Sequence, residues 1–227
     1  MNIETNDSYR ANWGPFLGRS VAFIGDSLTS ESRVNYVSLF LNELATYIDL
    51  TGVRVVNSGI DSSSVFDALD RVPDLVLEHD PDTVFILLGI NDSKIFRRID
   101  KPLVDLPVFG KAYQRLLELL DVRRMRKKVL VTPPPLLFGE IDKGAMLADY
   151  WYWNESEYEL YVNSICAAAG LPGVYVADVF KAFHQYTGAH RLFYEDGVHP
   201  NVYGHKIIAE TLINVAKRFG GSADCHA

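Results

Sequence analysis

Apolar positions along the chain change period in a repeating order. Val21 to Ile24 form an unbroken apolar run that stops at Gly25 and Asp26, the pattern of a short strand buried on both faces. From Ser32 the residues Val34, Val37, Leu41, Leu44, Ala45 and Ile48 recur at helical spacing, which predicts a helix laying one stripe on a sheet and closed by Gly52. Val53 to Asn57 read as a second strand, running into Ser58, Gly59, Ile60 and Asp61. A helix is predicted over Val65 to Glu78 and a central strand over Thr83 to Leu88, where β-forming residues are dense, ending in Gly89-Ile90-Asn91-Asp92. Phe109, Tyr113, Leu116, Leu117 and Leu120 mark the next helix, and Lys128 to Thr132 a strand stopped by Pro133, Pro134 and Pro135. Tyr158, Tyr161, Val162, Ile165 and Ala169 give a helix, Val174 to Ala177 a strand ending at Asp178, and Ile207 to Phe219 a last amphipathic helix. Residues 133–154 are the longest irregular stretch, and Trp13 to Phe16 are expected to cover the sheet.

Strand and helix thus alternate about five times, which predicts an α/β fold: a doubly wound parallel sheet with helices on both faces. The chain has 227 residues, 48% hydrophobic and 22% charged, enough for one domain with a substantial core. We expect that domain to span 1–219, with 220–227 a flexible tail. A net charge of −7 and a pI near 5.3 argue against nucleic acid or an anionic membrane as the main partner. The basic cluster Arg123, Arg124, Arg126, Lys127 and Lys128 reads as the solvated end of a helix, complementing its dipole. Cys166 and Cys225 suggest neither a disulfide framework nor a metal site. Met1 to Ser8 lack the basic start and apolar core of a signal peptide, and no apolar run approaches the roughly 20 residues of a membrane helix. A cytoplasmic protein is the expectation.

In such sheets ligands bind beyond the carboxyl ends of the strands. Ser27, Gly59, Asn91 and Asp178 each follow a predicted strand, and His199 lies in the loop before the last helix, so one edge gathers them. A serine hydroxyl is a weak nucleophile at neutral pH unless an imidazole takes its proton and a carboxylate holds that imidazole. Asp196, three residues before His199, can fold back within one turn to do so, and Pro200 keeps His199 extended. The oxyanion formed by attack needs donors placed in advance. The backbone N–H groups of Ser27 and Gly59 and the Asn91 amide are the candidates, although, taken singly, a turn glycine and a capping asparagine are the better readings of the last two.

Gly25-Asp26-Ser27-Leu28, Gly59, Gly89-Ile90-Asn91-Asp92 and Asp196-Gly197-Val198-His199 resemble, in order, the four signature blocks of the SGNH, or GDSL, hydrolase family. That resemblance implies a flavodoxin-like three-layer α/β/α sandwich and ester hydrolysis with no metal or organic cofactor. It implies Ser27 as nucleophile, His199 as general base and then acid, Asp196 as its orienter, and an oxyanion hole of Ser27, Gly59 and Asn91. Asp26 and Asp92 are expected to hold loops.

The substrate stays open among small-molecule, sugar and lipid esters, as does a homo-oligomeric state. In the irregular stretch Leu136, Leu137, Phe138, Met146, Tyr150, Trp151, Tyr152 and Trp153 are expected either to cap the site, with Phe138, Trp151 and Trp153 contacting substrate, or to pack on the domain or a second copy. Acyl transfer to another alcohol uses the same residues. A metal-dependent phosphatase using Asp26, Asp61, Asp92 and Asp178 is disfavoured because Leu28 breaks the Asp-x-Asp pattern. An inactive carbohydrate-binding module is disfavoured by the intact Ser27, Asp196 and His199.

Overall fold

The computed structural model describes residues 14–30, 35–144 and 150–220. In order the chain forms α1 (Gly14–Leu17), β1 (Ser20–Gly25), α2 (Ser27–Ser30), α3 (Tyr36–Leu44), β2 (Arg54–Gly59), α4 (Val65–His79), β3 (Thr83–Leu87), β4 (Ile95–Phe96), β5 (Lys101–Pro102) and α5 (Leu106–Leu120). It continues through β6 (Lys127–Val131), α6 (Phe138–Gly144), β7 (Trp151–Tyr152), α7 (Glu155–Cys166), β8 (Val174–Ala177), α8 (Val179–His184), a 3₁₀ turn at Ala189–Leu192 and α9 (Val202–Gly220). Trp13, Ser32, Val34, Met146 and the expected tail beyond Gly220 lie outside the described residues.

The main sheet is parallel throughout, in the order β2-β1-β3-β6-β8. Because successive side chains alternate across a strand, β1 sends Val21 and Phe23 to one layer and Ala22 and Ile24 to the other; Phe85 and Leu87 of β3 oppose Val84 and Ile86 in the same way. The first layer is built with Phe16, Tyr36, Phe40, Ile208 and Leu212, where Phe23 stacks on Phe85 with centroids 4.8 Å apart. The second holds Val65, Val72, Leu116, Leu120, Tyr161 and Ile165. This is the doubly wound three-layer architecture that the periodicity predicts. After β1 the chain crosses to β2, then returns past β1 to make β3, so the strand order reverses between β1 and β3. A crevice opens there at the carboxyl edge.

Two expectations are corrected. The basic cluster is not a solvated helix end: α5 stops at Leu120, and the following loop turns inward, so that Arg126 is 2% and Lys128 1% exposed. Arg126 pairs with Asp80 and Lys128 with Asp121, while Arg124 reaches Asp82 at 2.8 Å. Charges taken from water need such partners. The stretch after β6 is also less irregular than its prolines suggest. β4 pairs antiparallel with both β5 and β7, making a small second sheet.

Candidate active site

β1 delivers its chain end to the crevice through Asp26, whose Oδ1 accepts the Leu28 N–H at 3.0 Å and whose carbonyl accepts those of Thr29 (3.1 Å) and Ser30 (2.9 Å). This tight turn sets Ser27 at the first position of α2. Its Oγ lies 3.0 Å from His199 Nε2. His199 Nδ1 lies 2.8 Å from Asp196 Oδ2, while Asp196 Oδ1 accepts the N–H groups of Val198 and His199, each at 2.8 Å. The carboxylate therefore holds both the ring and the backbone of the histidine. Gly197 makes this turn feasible, with φ at 69°; a Cβ there would also sit 2.8 Å from Leu137 O. Burial alone pushes the Asp196 carboxyl up, but hydrogen bonds from the His199 side chain and from the His199 and Val198 N–H groups bring it below the ordinary aspartate value.

A cavity of about 280 Å³ opens beside Ser27 and His199, lined also by Ser62, Asn91, Lys94, Ile141, Trp151 and Trp153. The structure thus brings together Ser27, Asp196, His199, Asn91, Trp151 and Trp153. Phe138 is not among them. It begins α6 and lies edge-on to Tyr158, 6.4 Å between centroids, in a separate hollow with Leu136 and Phe180, while Ile141 is the α6 residue that reaches the cavity.

Gly59 is absent from the lining as well. It is still inside β2, in register with Gly25, and its N–H donates to Asn57 Oδ1 at 2.9 Å. Its missing side chain serves packing: a Cβ would meet Ser30 N at 2.4 Å. Three residues on, Ser62 adopts a left-handed φ of 62° and lines the cavity, and its N–H has no hydrogen-bond partner among the described residues. Nothing in the sequence marks Ser62 for it, because glycine is the default residue for that conformation. Asp61, weighed from the sequence only as an edge carboxylate, lines the cavity too, as do Lys94 and Ile141, which no motif marks.

The edge carboxylates divide by role. Asp178 caps α8 by accepting the Lys181 N–H at 3.0 Å. Asp61 accepts the Ser30 hydroxyl. Asp26 and Asp92 are buried, and desolvation pushes them up to about 6 and about 7 despite backbone N–H donors. Asp92 Oδ1 accepts the Val65 N–H at 2.8 Å in the first turn of α4, while Oδ2 has no partner among the described residues. No group of three His, Cys, Asp or Glu among the described residues is arranged to hold a metal ion. No helix among them is long and apolar enough to cross a membrane.

Burial of Asp92 has a consequence for stability. An unfolded aspartate titrates near 3.9, so between about pH 4 and pH 7 the folded state binds the extra proton, and stability falls as pH rises through that window. Asp92→Asn keeps the acceptor for Val65 and removes the charge. We expect the variant to lose less stability than wild type between pH 5 and pH 8, with Asp26, pushed up to about 6, accounting for the fall that remains. Urea unfolding at pH 5 and pH 8 measures this, and an unchanged pH dependence would contradict it.

The family model described as the GDSL-like Lipase/Acylhydrolase family matches residues 23–207. An acetylxylan esterase from Geobacillus stearothermophilus is 28% identical over 218 residues, covering 86% of this chain and 93% of that esterase. Among solved structures, a lipase/acylhydrolase from Enterococcus faecalis superposes with TM-score 0.71 at 20% identity, over 88% of this chain and 96% of the other. The His-to-Ala catalytic mutant of the Geobacillus acetylxylan esterase gives TM-score 0.69 at 25% identity, over 88% of this chain and 94% of that one. Two further catalytic mutants of that esterase replace a serine and an aspartate, the aspartate lying three positions before the histidine.

Proposed function

The chain belongs to the GDSL-like lipase/acylhydrolase family, and from that premise we propose that it cleaves short O-acyl esters, of which sugar acetates are the main class, through Ser27, His199 and Asp196. The observation that carries the reading is the continuous line from Ser27 Oγ to His199 Nε2 at 3.0 Å and from His199 Nδ1 to Asp196 Oδ2 at 2.8 Å. It is supported by the acetylxylan esterase relative and by a cavity with two indoles suited to stacking on a sugar ring.

Ser27 Oγ attacks the acyl carbon as its proton passes to His199 Nε2. The negative charge moves onto the carbonyl oxygen, where the Ser27 and Ser62 N–H groups and the Asn91 amide stabilise it. Ser62 takes here the place expected of Gly59. The tetrahedral intermediate collapses, His199 returns the proton to the leaving alcohol, and an acyl-serine remains. Water activated by His199 then releases the acid. Asp196 stabilises the imidazolium and fixes its tautomer throughout.

Acetate release from acetylated xylo-oligosaccharides and from 4-nitrophenyl acetate, with and without EDTA, tests this. We expect EDTA-insensitive turnover that rises with pH as His199 loses its proton; Asp196, held below its ordinary value, remains ionised across that limb. Asp196→Asn should cut kcat about a hundredfold or more with the fold intact, and alter the profile. Full activity in that variant, or inhibition by EDTA, would contradict the reading.

A further inference from the structure

Lys94 stands where the turn after β3 enters β4. Its backbone is held on both sides, the N–H donating to Asn91 O at 3.1 Å and the carbonyl accepting the Leu103 N–H at 2.7 Å. The side chain lines the cavity that holds Ser27 and His199. Its ammonium lies against two indoles, 5.4 Å from the Trp151 centroid and 5.6 Å from that of Trp153. Both rings are fixed: Trp153 Nε1 donates to Ile90 O at 2.8 Å, and Trp151 meets Phe96 edge-on at 5.9 Å within the β4–β7 pair.

Aromatic faces attract a cation but do not replace the acceptors that water offers its three N–H donors. Among the described residues no carboxylate lies within ion-pair distance of Lys94 Nζ, and no atom accepts a hydrogen bond from it. Burial pushes this lysine below its ordinary value, against the pull of Asp26 and Asp92. An ordinary surface lysine keeps its head in water. Here the head is turned into the partly desolvated cavity that also holds Ser27, against two fixed indoles and with no acceptor among the described residues.

Resting on the esterase reading of this cavity, we propose that Lys94, held between Trp151 and Trp153, binds a carboxylate carried by the ester substrate. That carboxylate belongs either to the acyl group, as in a half-ester of a dicarboxylic acid, or to the alcohol, as in an acetylated uronic acid. A point charge in a low-dielectric cleft discriminates strongly between a carboxylate and its neutral isostere. The indoles leave the sugar or alkyl portion apolar surface on which to lie.

Two substrate pairs distinguish the sources. 4-Nitrophenyl hydrogen succinate against 4-nitrophenyl 4-methylpentanoate reads the acyl side, and a mono-O-acetylated methyl glucuronoside against the matching methyl glucoside reads the alcohol side. We expect wild type to favour the charged member of one pair at least about tenfold in kcat/KM. Lys94→Arg should keep that preference, and Lys94→Gln and Lys94→Met should remove it. Monomethyl succinate should also change tryptophan fluorescence saturably and salt-sensitively in wild type, and not in Lys94→Gln. Preferences under twofold in both pairs, or one that survives Lys94→Gln, would overturn the proposal, leaving Lys94 a clamp for the two indoles. If no ester is turned over, the esterase reading fails by itself. Lys94-dependent fluorescence quenching would then still support the anion site, and its absence would overturn that too.

Discussion

Ser27→Ala is expected to remove nearly all ester hydrolysis, at least about 10⁴-fold in kcat, and His199→Ala to do the same. The double variant should be scarcely worse than either single one. The reason lies in the 3.0 Å contact between Ser27 Oγ and His199 Nε2. On the proposed reading the histidine acts only by moving the serine's proton, and the serine is a competent nucleophile only while that proton can leave. Removing either group removes the function of the other, so their free-energy costs overlap instead of adding. Neither side chain is needed for the core: Ser27 is half-buried at a helix start, and the His199 side chain is 42% exposed. Both variants should therefore unfold within a few degrees of wild type. Losses that add in the double variant would show that the two groups do not share a proton-transfer unit.

Asn91→Ala is the second large expected effect, a fall in kcat of about a hundredfold or more, near 3 kcal/mol, with KM changed much less. A donor to the oxyanion strengthens its bond only as charge develops, so its loss appears in the transition state rather than in binding. The structure adds a detail. Asn91 is 4% exposed and its Nδ2 donates to Ser63 O at 3.1 Å and, at a longer 3.3 Å, to Asp26 Oδ2. The amide thus ties together the turns after β1, β2 and β3, and its longer bond is the one most readily exchanged for a substrate oxygen. Asn91→Asp should be at least as damaging, because it would set a carboxylate against both Asp26 and the oxyanion. Thermal unfolding and kcat on the same Asn91→Ala sample separate the roles. A destabilised protein with kcat within a few fold of wild type would leave Asn91 as a tie alone.

How far the sequence reveals this depends on the length of each pattern. β1, β3 and β6 were legible because runs such as Val21 to Ile24 are apolar on both faces, and α4 and α5 because their stripes persist over 15 residues each. β4, β5 and β7 have two residues each, too few to show any period, so the segment bearing Trp151 looked irregular. Asp196 and His199 were legible because one turn joins them. Ser62 was not, since a serine at positive φ is strained by itself and is held there only by its surroundings. Gly59 is the more visible signal, yet its missing side chain serves the approach of Ser30. Arg126 and Lys128 misled for a related reason. Basic residues default to solvent, and partners such as Asp80, 46 residues away, are invisible until the loop folds.

The central claim is that Ser27 is the nucleophile, and covalent labelling with a fluorophosphonate, mapped by peptide mass spectrometry, tests it most directly. We predict a single phosphonylated residue, Ser27, modified in parallel with loss of esterase activity, unaffected by EDTA, absent in Ser27→Ala and greatly slowed in His199→Ala. Modification of a different serine in step with inactivation, or an active enzyme that the reagent leaves unlabelled, would contradict it.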